Sequence, residues 1–223
     1  MLGLPRFDPQ DILVVLVTFV VAITIHEFMH AWTAYQLGDD TAYHLGRISL
    51  NPAVHFDPLG FVMFLLIAIG IPALAWGKPV PVNTYRLRPL GRSGRTGSMA
   101  LVAFAGPLSN VVLAAAAALS LRLSGGLPVE TPLAEALVVF MTVNISLAAF
   151  NMIPVPPLDG SRILAALLPP FWQPYLANLE RYGFAILLVL ILFGSAFGGG
   201  SVISAIVAPV YTVLFRVLTG VPM

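Results

Sequence analysis

Between Ile12 and Trp32 the sequence is an apolar run that nevertheless contains ITIHEFMHAW, which places His26, Glu27 and His30 inside it. About 20 apolar residues are what a helix needs to cross a bilayer. An ionisable group in such a span costs about 2.5 to 3.5 kcal/mol on the insertion scale for charged residues, so a cluster of three needs a compensating partner. On a helix, His26 and His30 are four residues apart and project from one face a single turn apart, within reach of one metal ion. Glu27 lies about 100° round, beside that ion. In the H-E-x-x-H pattern the carboxylate is not a ligand; it takes a proton from a water that the metal has acidified to a pKa of about 7. The other reading of these residues is a pair of buried histidines hydrogen-bonded between helices, with Glu27 paired to an arginine.

The rest of the chain supports a bilayer setting. The 223 residues are 58% hydrophobic and 9% charged, against about 25% charged in soluble domains, and the mean hydropathy is +0.92. Net charge is only +1 and the positive residues cluster in one short loop, which argues against a nucleic-acid partner. With no cysteine there is no disulfide framework, thiolate zinc site or cysteine nucleophile, so metal ligands must come from His, Asp or Glu. The N-terminal MLGLPRFDPQD is followed by no small-residue cleavage site, and the first apolar run is expected to be retained.

Apolar spans fall at 12–36, 99–121, 133–153, 176–194 and 202–219. A further segment, 60–77, is shorter and is interrupted at Gly70 and Pro72, where helix propensity collapses. The expected fold is therefore an all-α polytopic membrane protein of about five to six transmembrane helices. Segment 60–77 either crosses or is re-entrant, and short β-like membrane-associated loops join the spans. Without internal repeats or an appended soluble module, residues 1–223 form a single domain, with a catalytic core at about 12–165 and C-terminal helices at about 176–219.

A hydrolytic zinc needs a third protein ligand and an open position for water. The best candidate is Asp159 in FNMIPVPPLDG, the only acidic residue between Glu135 and Glu180. Pro154, Pro156 and Pro157 end the preceding helix there, and irregular backbone at membrane depth is tolerated where protein or a water-filled cavity satisfies it. The competing reading has Asp159 capping a short helix at 160–168.

HEFMH, AGPLSN at 105–110 and NMIPVPPLDG at 151–160, taken in order, resemble the site-2 protease family of intramembrane zinc metalloproteases. GRISLNPAVHFDPLG and WGKPVPVN are similar to a compact bacterial branch that lacks PDZ and CBS domains. The resemblance implies one zinc ion held by His26, His30 and Asp159, with Glu27 as the catalytic carboxylate. It also implies that Asn151 stabilises the oxyanion or holds substrate, and an amide at a frayed helix end could do so on chemical grounds; helix capping is the alternative. Asn110 either orients the site or packs between spans beside Gly106, and packing is the favoured role. His44, His55 and Asp57 read as interfacial.

The implied reaction is peptide-bond hydrolysis within or next to transmembrane segments of membrane-protein substrates, in the bacterial inner membrane. A helical substrate must unwind before attack, and WGKPVPVN is a candidate clamp for an extended chain, or an ordinary turn. Two readings from other classes are a metal-ion transporter and a non-catalytic membrane scaffold. A conduit gains nothing from Glu27, and the intact motif argues against lost activity. Topology follows from the ligands: His26 and His30 lie toward the C-terminal end of one span and Asp159 just beyond the C-terminal end of another. One zinc can join them only if those spans are parallel, which makes 60–77 a re-entrant hairpin turning near Gly70 and Pro72 and places the zinc nearer the cytoplasmic face. Charge counting does not arbitrate, because Arg6 and Arg47 simply exchange sides between the two models.

Overall fold

The computed structural model describes residues 9–68, 73, 75–124, 131–196 and 202–220. They form helices α1 (Pro9–Gln36), α2 (Thr41–His44), α3 (Pro52–His55), α4 (Pro58–Ala68), α5 (Gly94–Leu123), α6 (Pro132–Asn151), α7 (Asp159–Leu167), α8 (Gln173–Ala196) and α9 (Val202–Thr219), with a 3-10 turn at Pro170–Trp172. No strand occurs among the described residues. Ile12–Gln36, Gly94–Leu123 and Pro132–Asn151 are long and apolar enough to cross a membrane; Pro58–Ile67 and Ala205–Thr219 are shorter apolar helices. The 20 residues of α6 span about 30 Å, the thickness of a hydrocarbon core. The 11 residues of α4 reach only about 16 Å.

Local chemistry sets the helix ends. Thr131 caps α6 by accepting from the Ala134 N–H, and Pro132 takes the first turn, where no N–H is required. At the other end Pro154, Pro156 and Pro157 cannot donate to a helical ladder, so α6 stops and α7 starts afresh at Asp159. Gly160 lets that new start press onto the turn, because a Cβ there would sit 2.2 Å from the Met152 carbonyl oxygen.

Three helices share one apolar core cluster. Ala114, Ala117 and Ala118 of α5 allow close approach of Met141 and Ile145 on α6, with Tyr211 and Phe215 of α9 packed alongside. Helix α5 runs antiparallel to α1, with Val102 opposite His30 and Asn110 opposite Ala22. Helices α1 and α6 run the same way. Leu13 and Val17 share a groove with Leu133 and Phe140, and His26 and Glu27 share a cavity with Leu147 and Asn151. The C-terminal end of α1 and the N-terminal end of α5 therefore lie together, and the chain between them starts and finishes at that end.

Much of that connecting chain is a polar brace. Buried Asp39 accepts from Thr41 and from the Asn83 N–H, buried Arg47 donates to the carbonyls of Val54 and Pro79, and the Lys78 N–H bonds the His55 carbonyl at 2.8 Å. Gly60, at the start of α4, abuts Trp76 so closely that a Cβ would lie 2.0 Å from the Trp76 carbonyl oxygen. Of the two readings of WGKPVPVN, the edge strand does not form among the described residues. Pro79 and Pro81 have no N–H, and those of Lys78, Val80 and Asn83 bond His55, Glu27 and Asp39 instead of a neighbouring strand. Gly70 and Pro72, where the hairpin turn was expected, lie outside the described residues.

Candidate metal centre

His26 and His30 point from one face of α1 toward Asp159 in the first turn of α7. The distances are 3.2 Å from His26 Nε2 and 3.3 Å from His30 Nε2 to the same oxygen, Asp159 Oδ2. Each ring has its other nitrogen engaged. His26 Nδ1 is 2.7 Å from Asn110 Oδ1, and His30 Nδ1 is 2.8 Å from the Val102 carbonyl oxygen. Both acceptors fix the proton on Nδ1 and turn the Nε2 lone pair inward.

Asp159 Oδ2 is buried and has no hydrogen-bond partner among the described residues. Three electron-pair donors thus converge, an arrangement that repels itself unless positive charge sits at its centre. A tetrahedral ion with bonds of about 2.0–2.2 Å sets its ligands about 3.3–3.5 Å apart, so this donor set fits zinc. Among the described residues it is the one His, Asp and Glu group so arranged.

Gly106 makes the space. A Cβ at this position of α5 would stand 2.5 Å from His30 Nε2 and 2.6 Å from His26 Nε2. Only a bare backbone leaves room for an ion and two imidazoles.

Glu27 is buried beside this group, and its Oε2 accepts from the Val80 N–H at 3.1 Å. That bond fixes one of its two carboxylate oxygens. His26, Glu27, His30 and Asp159 line a cavity of about 360 Å³ whose walls include Trp76, Val80, Phe150 and Leu187. Arg162, one turn beyond Asp159, is exposed at its edge.

The structure brings together His26, Glu27, His30, Asp159 and Asn151, although Asn151 Nδ2 donates back to the Leu147 carbonyl at 3.0 Å, which leaves one amide hydrogen for a ligand. Asp159 makes no capping bond, since α7 is preceded by Leu158 with no side-chain cap. Asn110 does more than pack, contrary to the favoured reading of the sequence, because its Oδ1 orients His26. Asn144 was missed. Its signal is an amide in the middle of an apolar span, where an unpaired polar group is too costly to leave alone. His44 pairs with Asp40 on the surface, His55 bonds the Ser49 carbonyl, and Asp57 accepts from the Gly60 N–H at the start of α4, so none joins the site.

A model of peptidase family M50 matches residues 123–194, which include Asn151 and Asp159 but not the histidine pair. Over 180 residues the chain is 38% identical to a Bacillus subtilis protein described as a zinc metalloprotease, YwhC, covering 78% of each chain. It is also similar to proteins described as the zinc metalloprotease Rip2. The match is 28% identical for Mycolicibacterium smegmatis, covering 81% of this chain and 67% of the relative. For Mycobacterium tuberculosis strain H37Rv it is 32% identical, covering 80% and 66%. No solved structure matches the chain.

Proposed function

The chain belongs to peptidase family M50, the site-2 protease family, and is a metalloprotease; from that premise we propose that it cuts peptide bonds within or next to transmembrane segments of other membrane proteins. The observation that carries the reading is the convergence of His26 Nε2, His30 Nε2 and Asp159 Oδ2 beside Glu27, well inside an apolar helix. His30 and His26 lie about 9 and 15 Å in from the end of α1 at Gln36. A substrate must therefore present its scissile bond at membrane depth.

In this reading His26, His30 and Asp159 hold one zinc ion. When bound, zinc supplies Lewis-acid polarisation of the scissile carbonyl and an acidified water. Glu27, with Oε2 held by the Val80 N–H, receives the water proton on its other oxygen and passes it to the leaving amine. The free amide hydrogen of Asn151 is offered to the developing oxyanion. The segment 75–83, neither helix nor strand, lines the cavity with Trp76, Gly77, Val80 and Val82, a wall against which an unwound substrate segment can lie.

Segment 60–77 is re-entrant in this proposal. Support comes from the parallel course of α1 and α6, the shortness of α4 and the return of Trp76 to Gly60 at the start of α4. The protein then sits in the bacterial inner membrane with its site nearer the cytoplasmic face, where the basic residues of 78–98 also lie.

Glu27→Gln tests the chemistry. The amide keeps the shape and cannot accept the proton, so the purified variant should retain one zinc and lose proteolysis of a transmembrane model substrate, and uncut substrates should accumulate in membranes that carry it. Wild-type turnover by this variant overturns the assignment.

A further inference from the structure

Behind the metal centre lies a chain of amides whose polarity is determined at both ends. Asn144, on α6, is fully buried, and its Nδ2 donates to the Phe140 carbonyl at 2.9 Å. A carbonyl can only accept, so the Asn144 amide must face it with NH2 and turn Oδ1 the other way. That oxygen accepts from Asn110 Nδ2 at 2.9 Å. The same Nδ2 reaches a second backbone acceptor, the Ala22 carbonyl on α1, at 3.3 Å. Asn110, also fully buried, is thereby left with only Oδ1 to present to His26.

We propose that Asn144 is a positioning residue that dictates the tautomer of His26: through Asn110 it enforces an acceptor opposite His26 Nδ1, and so keeps the Nε2 lone pair aimed at the metal position. The inference rests on the metal reading above. Its logic is directional. If Asn144 no longer supplies an acceptor, the Asn110 amide is held only by the longer bond to Ala22 and can rotate to offer NH2 to His26. The imidazole then answers with a bare Nδ1 and a protonated Nε2, and a nitrogen that carries a proton cannot bind a cation. His30 has no such weakness, because its Nδ1 faces a backbone carbonyl that cannot change sign. The chain also ties α1, α5 and α6 together at one level, joining the helix that carries the histidines to the one whose end leads to Asp159.

Asn144→Leu removes the acceptor at similar volume, and Asn144→Asp keeps an acceptor in place. Zinc affinity, measured in detergent by chelator competition, should fall about 10-fold or more in Asn144→Leu, the range seen when the hydrogen-bond partner of a metal-bound histidine is lost. It should stay within a few-fold of wild type in Asn144→Asp. In zinc-free protein, nitrogen NMR should show a proton on His26 Nδ1 in wild type and its loss from Nδ1 in a substantial fraction of Asn144→Leu, while His30 Nδ1 is unchanged.

The decisive arm is Asn110→Asp. A carboxylate has no donor to offer His26, so in that background Asn144→Leu should cost no further zinc affinity. An equal loss in both backgrounds makes Asn144 a packing residue and overturns the inference, as does an unchanged His26 tautomer in Asn144→Leu. If the leucine variant does not fold, Asn144→Ala takes its place with the same expectations. A wild-type protein that binds no zinc sinks the metal reading instead, and the tautomer measurement still decides the role of Asn144.

Discussion

Replacing Gly106 with alanine adds one methyl group at the most crowded point of the metal centre. The new Cβ would stand 2.5 Å from His30 Cε1 and Nε2 and 2.6 Å from His26 Nε2, where ordinary contact is about 3.5 to 4.0 Å. Roughly 1 Å must be recovered. The α5 backbone is packed between α1, α6 and α7, so the imidazoles are what move, yet each is anchored through Nδ1 to a group on α5 itself. Relief means breaking an anchor or pushing a ligand well past the 0.2 Å tolerance of a metal bond. Overpacking of this kind costs about 1 to 3 kcal/mol, and a cost near 2 to 3 kcal/mol falling on the metal-bound form weakens zinc binding about 30- to 150-fold. In the zinc-free protein no ligand geometry has to be kept, so each ring can tilt about its Nδ1 anchor, and alanine favours a helix over glycine by about 1 kcal/mol. The signature is thus weakened zinc binding by chelator competition, with a zinc-free unfolding temperature no lower than that of wild type. Wild-type zinc affinity in Gly106→Ala would refute the reasoning, because it would place the ion away from the space between the two rings.

Other substitutions separate ligand, catalyst and topology. Asp159→Ala should lose most zinc affinity together with activity, whereas Asn151→Ala should retain zinc and slow hydrolysis about 10²-fold; zinc content and turnover on one purified preparation check both. Equal zinc affinity in Asp159→Ala and wild type would remove that residue from the ligand set. Cysteines introduced singly at Asp8, Asp40 and Ser93 into this cysteine-free chain test the re-entrant segment with an impermeant thiol reagent. Labelling of intact cells is expected at position 8 alone, and labelling at position 40 alone would restore a full crossing at 60–77.

The parts of this protein legible from its sequence are those governed by short-range rules. Apolar length announces the spans at 12–36, 99–121 and 133–153, which agree with α1, α5 and α6 to within a few residues. The four-residue spacing of His26 and His30 needs nothing beyond helix geometry to bring two ring nitrogens to one point. The prolines after Asn151 announce the end of α6, because a residue without an N–H cannot extend the ladder.

What sequence left open depends, at Asn110, Asn144 and WGKPVPVN, on neighbours far along the chain. Asn110 reads as a packing residue until its oxygen is seen 2.7 Å from His26 Nδ1, 84 positions away. Asn144 registers only as an amide in an apolar span, because the directions of its own amide and of the Asn110 amide it meets are set by carbonyls on two helices. WGKPVPVN carries the alternation of an edge strand, yet its N–H groups are drawn to Glu27, His55 and Asp39, and no partner strand lies beside it among the described residues. The physical reason is the same in each case. Periodicity and propensity act over one or two helical turns, whereas a hydrogen bond or a metal ligand is chosen by whichever group the tertiary packing places within 3 Å, and only the folded arrangement of α1, α5, α6 and α7 makes that choice.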